Sequence, residues 1–273
     1  MKTESLLILD EMLKSIDGEA AAEGPGLEGV KRGFLILLLL FFGGSTRSEE
    51  VSLFQKADRL FAARDDPEKL RKAISLLEEG LASKPPDYEI LWRLAKYKNY
   101  LAGHVSSKDD KSKLYESAID LAKKAIENND QRPEGHFWLA ANYGEYAELK
   151  GPFKSLWLVR TIRQEFERVF EIEPGFDNGN LYLALGEMYL RLPWLMGGNH
   201  QRGLELLETG VKTGPTNADL LVTLAEYYLK DNRKSEARKL LETTLTLNDP
   251  LRSPRELGEL RARSRKLLEK PRE

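Results

Sequence analysis

The 273-residue chain has no cysteine, which excludes disulfides, thiol nucleophiles, thiolate zinc sites and a lipid-modified N-terminal cysteine together. Its three histidines, His104, His136 and His200, lack a second ligand at helical spacing, so no metal site is expected. An excess of one charge is also missing: 42 Lys+Arg stand against 44 Asp+Glu, a net charge of -2 at pH 7. That balance does not supply the basic excess that drives nucleic-acid binding by counterion release. There is no phosphate-cradling Gly-Lys-Ser/Thr loop, no Gly-x-Ser-x-Gly and no His-Glu-x-x-His. Acidic pairs such as Glu78-Glu79 and Asp109-Asp110 read as solvated surface. No catalytic residue, cofactor site or metal ligand set is expected, and the chain reads as a non-enzyme. Hydrophobic residues make up 41% and charged residues 32%, a balance suited to a globular, water-facing fold.

Long apolar runs are scarce. The one that stands out, residues 34–42, follows Lys31 and Arg32 and precedes Gly43, Gly44 and Ser45. It is shorter than the roughly 20 residues a membrane-spanning helix needs. A basic pair, a short apolar core and small residues are the parts of an export signal. Its distance from Met1 predicts a physiological start near Leu27 or Val30 and an exported protein, periplasmic or membrane-associated, with residues 1–45 as leader. The competing reading makes residues 5–16 an ordinary helix and 34–42 part of a core. Within the leader, Gly24-Pro-Gly26-Leu-Glu-Gly29 matches the dinucleotide fingerprint, but with no strand feeding it and Pro25 in the turn it reads as a linker.

From residue 51 onward helical apolar stripes alternate with short turn signals, and an all-α fold without strands is expected. One set of positions recurs five times at offsets 0, 4, 7 and 12: Ala73, Leu77, Gly80, Pro85; Ala118, Ala122, Ala125, Asp130; Ile162, Phe166, Val169, Pro174; Gly203, Leu207, Gly210, Pro215; and Ala237, Leu241, Thr244, Asp249. The first three of each set share a helix face and the fourth is a stop. Preceding helices carry Leu139-Ala140 with Tyr143, Leu185-Gly186 with Tyr189, Leu224-Ala225 with Tyr228 and, more weakly, Leu94-Ala95. The small residue lets two helices approach and the tyrosine fills the space beside it. The spacing from that leucine to the next helix is 13 residues for Leu224, 18 for Leu185, 23 for Leu139 and 24 for Leu94. Insertions at three hairpin turns are therefore expected, defining one specialised edge. Ser253-Pro-Arg-Glu256 opens a charged final helix, read as a polar cap for the stack or, from its basic excess, as a binding face.

This pattern resembles the tetratricopeptide repeat, best over residues 178–249. The resemblance implies an α-solenoid of about five irregular helix-turn-helix repeats over 51–250, with a C-terminal capping helix over 251–273. It further implies that first helices line a concave groove. The positions carried over include Trp92, Lys96, Asn99, Tyr100, Phe137, Leu183, Glu187, Arg191 and Glu226. Of these, Trp92, Tyr100, Phe137 and Leu183 are expected as apolar contacts, Lys96 and Arg191 as polar orienters. The turn Leu192-Pro-Trp-Leu-Met-Gly-Gly-Asn199, with Pro193, Trp194, Gly197 and Gly198, is expected to pack on the solenoid, line a cavity or meet another subunit. Together with the Phe137-to-Tyr143 helix and the export segment, it resembles the T component associated with TRAP transporters. That resemblance implies an accessory of solute uptake that docks a periplasmic solute-binding protein, binds a hydrophobic ligand and forms a homo-oligomer, a trimer. A weaker resemblance runs to the eukaryotic regulator of microtubule dynamics family. The alternative function is a general assembly scaffold for a helix or tail of another protein.

Overall fold

The computed structural model describes residues 52–83 and 87–269, and for residues 152–156 the backbone alone. The export segment, the 5–16 helix, the glycine match and Pro85 all lie outside the described residues. Among the described residues every regular element is helical. In chain order they are α1 (52–62), α2 (Pro67–Ser83), α3 (Tyr88–His104), α4 (Lys108–Asn128), α5 (Pro133–Lys150), α6 (Pro152–Ile172), α7 (Asn180–Arg191), a 3-10 turn (Trp194–Met196), α8 (His200–Thr213), α9 (Ala218–Lys230), α10 (Lys234–Thr246) and α11 (Pro254–Leu268). No described helix is long and apolar enough to cross a membrane.

Helix starts follow local chemistry. Asp87 accepts from the amides of Glu89 and Ile90, Ser107 from Asp110, Asn199 from Arg202 and Asn217 from Leu220. Each of these side chains satisfies a donor that the first helical turn leaves without an intrahelical partner. Prolines open α2, α5, α6 and α11, where the missing amide proton costs nothing. Ser253 and Glu256 form the reciprocal capping box that the sequence predicts.

Helices pair as hairpins, α3 with α4, α5 with α6, α7 with α8 and α9 with α10, and neighbouring hairpins stack. The first hairpin joins α1 and α2, with Ala57 and Phe61 buried against Leu70, Ala73 and Leu77. Its leading helix carries no small-then-tyrosine signal: thirteen residues before Ala73 stands Leu60, but Phe61 follows it and Arg64 takes the tyrosine's place. Of the recurring second-helix positions, the first three of each set are buried except for half-buried Gly80 and Ile162. The core lies along the stack as successive clusters, one around Leu77 and Leu94, one around Phe166 and Leu181 and one around Leu224 and Leu241.

The insertions are not where the spacing predicts them. α3 and α4 have 17 and 21 residues and α5 and α6 have 18 and 21, against 13 each in α9 and α10. The extra residues lengthen the helices, and α5 passes to α6 through Gly151 alone, at φ 87°. Only the 192–199 insertion is a turn. The long-helix hairpins keep their backbone hydrogen bonds inside the helices, so the added chain needs no cover.

Close approach is tightest between α7 and α8. A Cβ built on Gly186 would lie 2.7 Å from a methyl of Leu207 and 3.1 Å from the Gly203 carbonyl. One on Gly203 would run into the Leu190 side chain and lie 2.9 Å from the Gly186 carbonyl. Gly258, on α11, has nothing within 4 Å. Gly186→Ala is therefore expected to lower stability by about 1–3 kcal/mol through overpacking, while Gly258→Ala raises it by roughly 0.5–1 kcal/mol through helix propensity. Denaturant melts of the two variants check both signs.

Candidate partner-binding groove

The side chains carried over for the groove arise from α3, α5, α7 and α9, the leading helices of successive hairpins. On α3, Lys96 is half-buried and its ammonium lies 5.0 Å from the Phe61 ring centroid and 5.5 Å from that of Trp138. Phe61 stacks on Tyr97 at 4.3 Å and meets Tyr100 edge-on at 5.0 Å, and Tyr100 lies 6.1 Å from Trp138. This aromatic frame attracts a cation through the ring faces. Lys96 has no carboxylate partner among the described residues, and burial pushes its amine below the usual lysine range, with Asp177 opposing.

Other carried-over residues are partly engaged. Asn99 donates to Asn142 at 3.0 Å, and buried Asn142 donates on to the Trp138 carbonyl at 2.7 Å, tying α3 to α5. Trp92 donates through its indole to Glu89 at 3.0 Å, with Arg93 over its ring at 4.3 Å. Arg191 pairs with Glu148 at 3.1 Å, and Glu226 is held by Arg263 of α11 at 2.5 and 2.6 Å. Leu183 is half-buried. Glu187 has no ion-pair partner among the described residues, and burial pushes its carboxyl upward, with Arg191 opposing. Phe137 does not line the groove: it is 7% exposed, with Phe176 at 5.1 Å, Trp138 at 5.3 Å and Phe166 at 5.7 Å. Its ring is core because α6 and the 173–180 loop close over that side of α5.

The 192–199 turn faces outward. Trp194 and Leu195 are 79% and 76% exposed, and of the turn's apolar residues only Leu192 and Met196 are half-buried. Packing on the solenoid, one of its expected roles, is not adopted by Trp194 or Leu195. The turn is built by Pro193, whose carbonyl accepts from Met196 at 2.9 Å and Gly198 at 3.0 Å, and by Arg163, which donates to the Met196 carbonyl at 3.1 Å. Gly197 is left-handed at φ 86°, and a Cβ on Gly198 would collide with the Leu192 carbonyl. Both glycines are therefore required by geometry.

Two residues that position reasoning missed stand beside this groove. Asp219 occupies on α9 the register that Asn180 occupies on α7, and Arg252, in the segment between α10 and α11, reaches both: it donates to Asn180 at 3.1 Å and lies 3.4 Å from Asp219. Applying the same offsets to α9 finds Asp219; Arg252 has no periodic signal. Elsewhere, a crevice of about 330 Å³ on the α8, α9 and α10 side is lined by Val211, Tyr228 and Leu240, with Glu208, Arg233 and Glu236 already paired among themselves. His136 is buried with Glu165 at 2.6 Å and the Asp130 carbonyl at 2.9 Å, a bracing contact between α5, α6 and the preceding turn. Burial alone would lower its pKa, but those two acceptors outweigh it and raise the value above the ordinary one. Among the described residues no cluster of three His, Asp or Glu side chains could hold a metal.

A tetratricopeptide repeat family matches residues 195–251. The thermophilic TPR protein TTC0263 of Thermus thermophilus superposes with a TM-score of 0.60, at 20% identity, over 80% of this chain and 98% of that one. The chain has a tetratricopeptide-like fold, an all-helical stack among the described residues. Residues 53–187 match the family described as Regulator of microtubule dynamics protein 1-3. Regulator of microtubule dynamics protein 1 from Mus musculus is 28% identical over 236 residues, covering 76% of this chain and 75% of the mouse protein. The Bos taurus protein of the same name is 28% identical over 168 residues, and the match spans 56% of this chain and 52% of the bovine one.

Lys96 contacts the Phe61 and Trp138 rings but has no ion pair among the described residues. Lys96→Met keeps the aliphatic stem while removing a poorly compensated charge. It is expected to leave the melting temperature unchanged or raise it, a gain of up to about 1 kcal/mol. A thermal melt in which Lys96→Met clearly destabilises the chain would make Lys96 a structural residue.

Proposed function

We propose that this chain is a non-catalytic adaptor that holds a helical or extended segment of a protein partner along the inner face of its repeats. The observation that supports this most is the Lys96 ammonium, held over the Phe61 and Trp138 rings with no carboxylate partner among the described residues, beside half-buried Trp92 and Tyr100. Half-buried Trp92, Tyr100 and Leu183 give a partner apolar area, with Lys96 and Glu187 as orienting polar groups. The similarity to regulators of microtubule dynamics, over three quarters of the mouse protein, supports a role in the same kind of process. Membrane attachment through residues 31–45 is part of the proposal, since a basic pair before a short apolar run is the chemistry of a targeting segment. The transporter-accessory role, with its solute-binding partner, small hydrophobic ligand and trimer, has no support in these relatives and is not carried further.

The reading is tested by photocrosslinking in cells, with a photoreactive amino acid at position 96 or 183 on the inner face and at 238 on the outer. Discrete adducts with one protein from the inner positions are expected, and the loss of those from position 183 in Lys96→Glu. Equal labelling from position 238, or adducts unchanged by Lys96→Glu, would contradict the groove as the site. Co-sedimentation with polymerised tubulin reads the microtubule connection separately.

A further inference from the structure

The C-terminal segment is joined to the groove and to the first hairpin by charge. Three of its arginines each meet a carboxylate of the repeats: Arg252 lies 3.4 Å from Asp219, Arg255 lies 3.5 Å from Asp65, and Arg263 holds Glu226 at 2.5 Å. In the other direction Arg64, in the α1–α2 turn, donates to both oxygens of Glu256 at 3.0 and 2.6 Å and to the Leu251 carbonyl at 2.6 Å. The Ser253 hydroxyl donates to Asp65, whose second oxygen accepts from the Arg255 amide at 3.0 Å. The curvature of the stack thus brings residues 190 apart in sequence into contact.

We propose that the inner groove is a receptor for an arginine-bearing helix of a protein partner, and that residues 252–268 occupy it in cis. This deepens the adaptor reading and rests on it. The segment is bound as a ligand is bound. The buried residues of α11 are Leu257 and Ser264, whereas α9 buries eight. Leu267 and Leu268 add half-buried apolar contact with the core of α8, α9 and α10, while the half-exposed pairs of Arg255 and Arg263 are individually weak and screened by salt. The fit is also incomplete: the Nε atoms of Arg252 and Arg261 are buried with no hydrogen-bond partner among the described residues, which a better-matched ligand would correct. The receptor side is acidic at the matching places, with Asp65, Asp219 and Glu226 engaged and Glu187 left over. That carboxylate set selects guanidinium, whose fork matches a carboxylate in two-point contact, as Arg263 and Glu226 already display. The partner thus carries arginines spaced like Arg255 and Arg263 on a helix, with one like Arg252 just before it, and it enters by displacing the segment.

The experiment uses the full chain and a fluorescently labelled peptide of residues 247–269. In Arg252→Ala/Arg255→Ala/Arg263→Ala the resident segment is weakened while the receptor carboxylates stay intact. Fluorescence anisotropy is expected to show binding to this variant at least about ten-fold tighter than to the unaltered chain, the equivalent of one or two restored ion pairs. The peptide with the same three arginines changed to alanine should not bind, and salt should weaken the complex. Arg255→Ala alone, at an exposed position, provides a milder opening should the triple variant melt early. Equal peptide affinity in the unaltered and weakened chains, or none in a weakened chain that retains its helical melt, would overturn the proposal. If inner-face photoadducts persist in that second case, the adaptor reading stands and only the cis occupant falls.

Discussion

Most helical pairs among the described residues depend on close approach at their crossing. An isolated hairpin of this kind has apolar faces on both sides, and stacking against neighbours is what removes them from water. The recurring small residues, Ala73, Ala118, Gly203 and Ala237 on the second helices and Ala95, Ala140, Gly186 and Ala225 on the first, set that distance. Where both partners at a crossing are glycine, as in α7 and α8, the backbones come so near that no Cβ fits. The successive core clusters and the placement of the groove side chains follow from this spacing.

With the core settled by small residues and leucines, the larger polar residues of the leading helices are free for other work. Lys96 and Glu187 have no ion-pair partners among the described residues, while Asn99 and Asn142 brace α3 against α5. An ionisable residue held unpaired on a rigid helix adds little to stability, which is the physical ground for assigning it to recognition. The C-terminal segment fits the same logic. Its capping box makes α11 stable locally, and ion pairs to Asp65, Asp219 and Glu226 decide where it docks. Beside these pairs, Leu257, Leu267 and Leu268 give α11 a smaller apolar contact than the repeat helices have.

Much of the fold was legible because small residues at offsets of four and seven have few explanations other than a helix crossing. The second helices of all five hairpins and the capping box at Ser253 were readable in this way. The length of the α3–α4 and α5–α6 hairpins was not, since a count of intervening residues cannot separate longer helices from a longer turn. The first leading helix escaped because Phe61 and Arg64 occupy the positions where a small residue and a tyrosine were sought. For the groove, position rules placed Lys96 and Glu187 on the leading helices but also chose Phe137, which α6 and the following loop cover. Arg252, Asp65 and Arg64 meet their partners only because of the curvature of the whole stack, and no local pattern encodes that. The transporter resemblance rested on the 192–199 turn, a short motif whose shape follows from Pro193 and two glycines rather than from a particular partner.

If the groove is a binding surface held closed by a detachable segment, that segment must open independently of the repeats beneath it. Hydrogen exchange of the full chain, followed peptide by peptide at low and high salt, reads this opening. The amides of residues 254–268 are expected to exchange through an opening of their own, faster than those of α9 and α10, and more often as salt rises. Exchange of α11 only together with α9 and α10, independent of salt, would make it an integral part of the repeat stack and contradict a detachable closure.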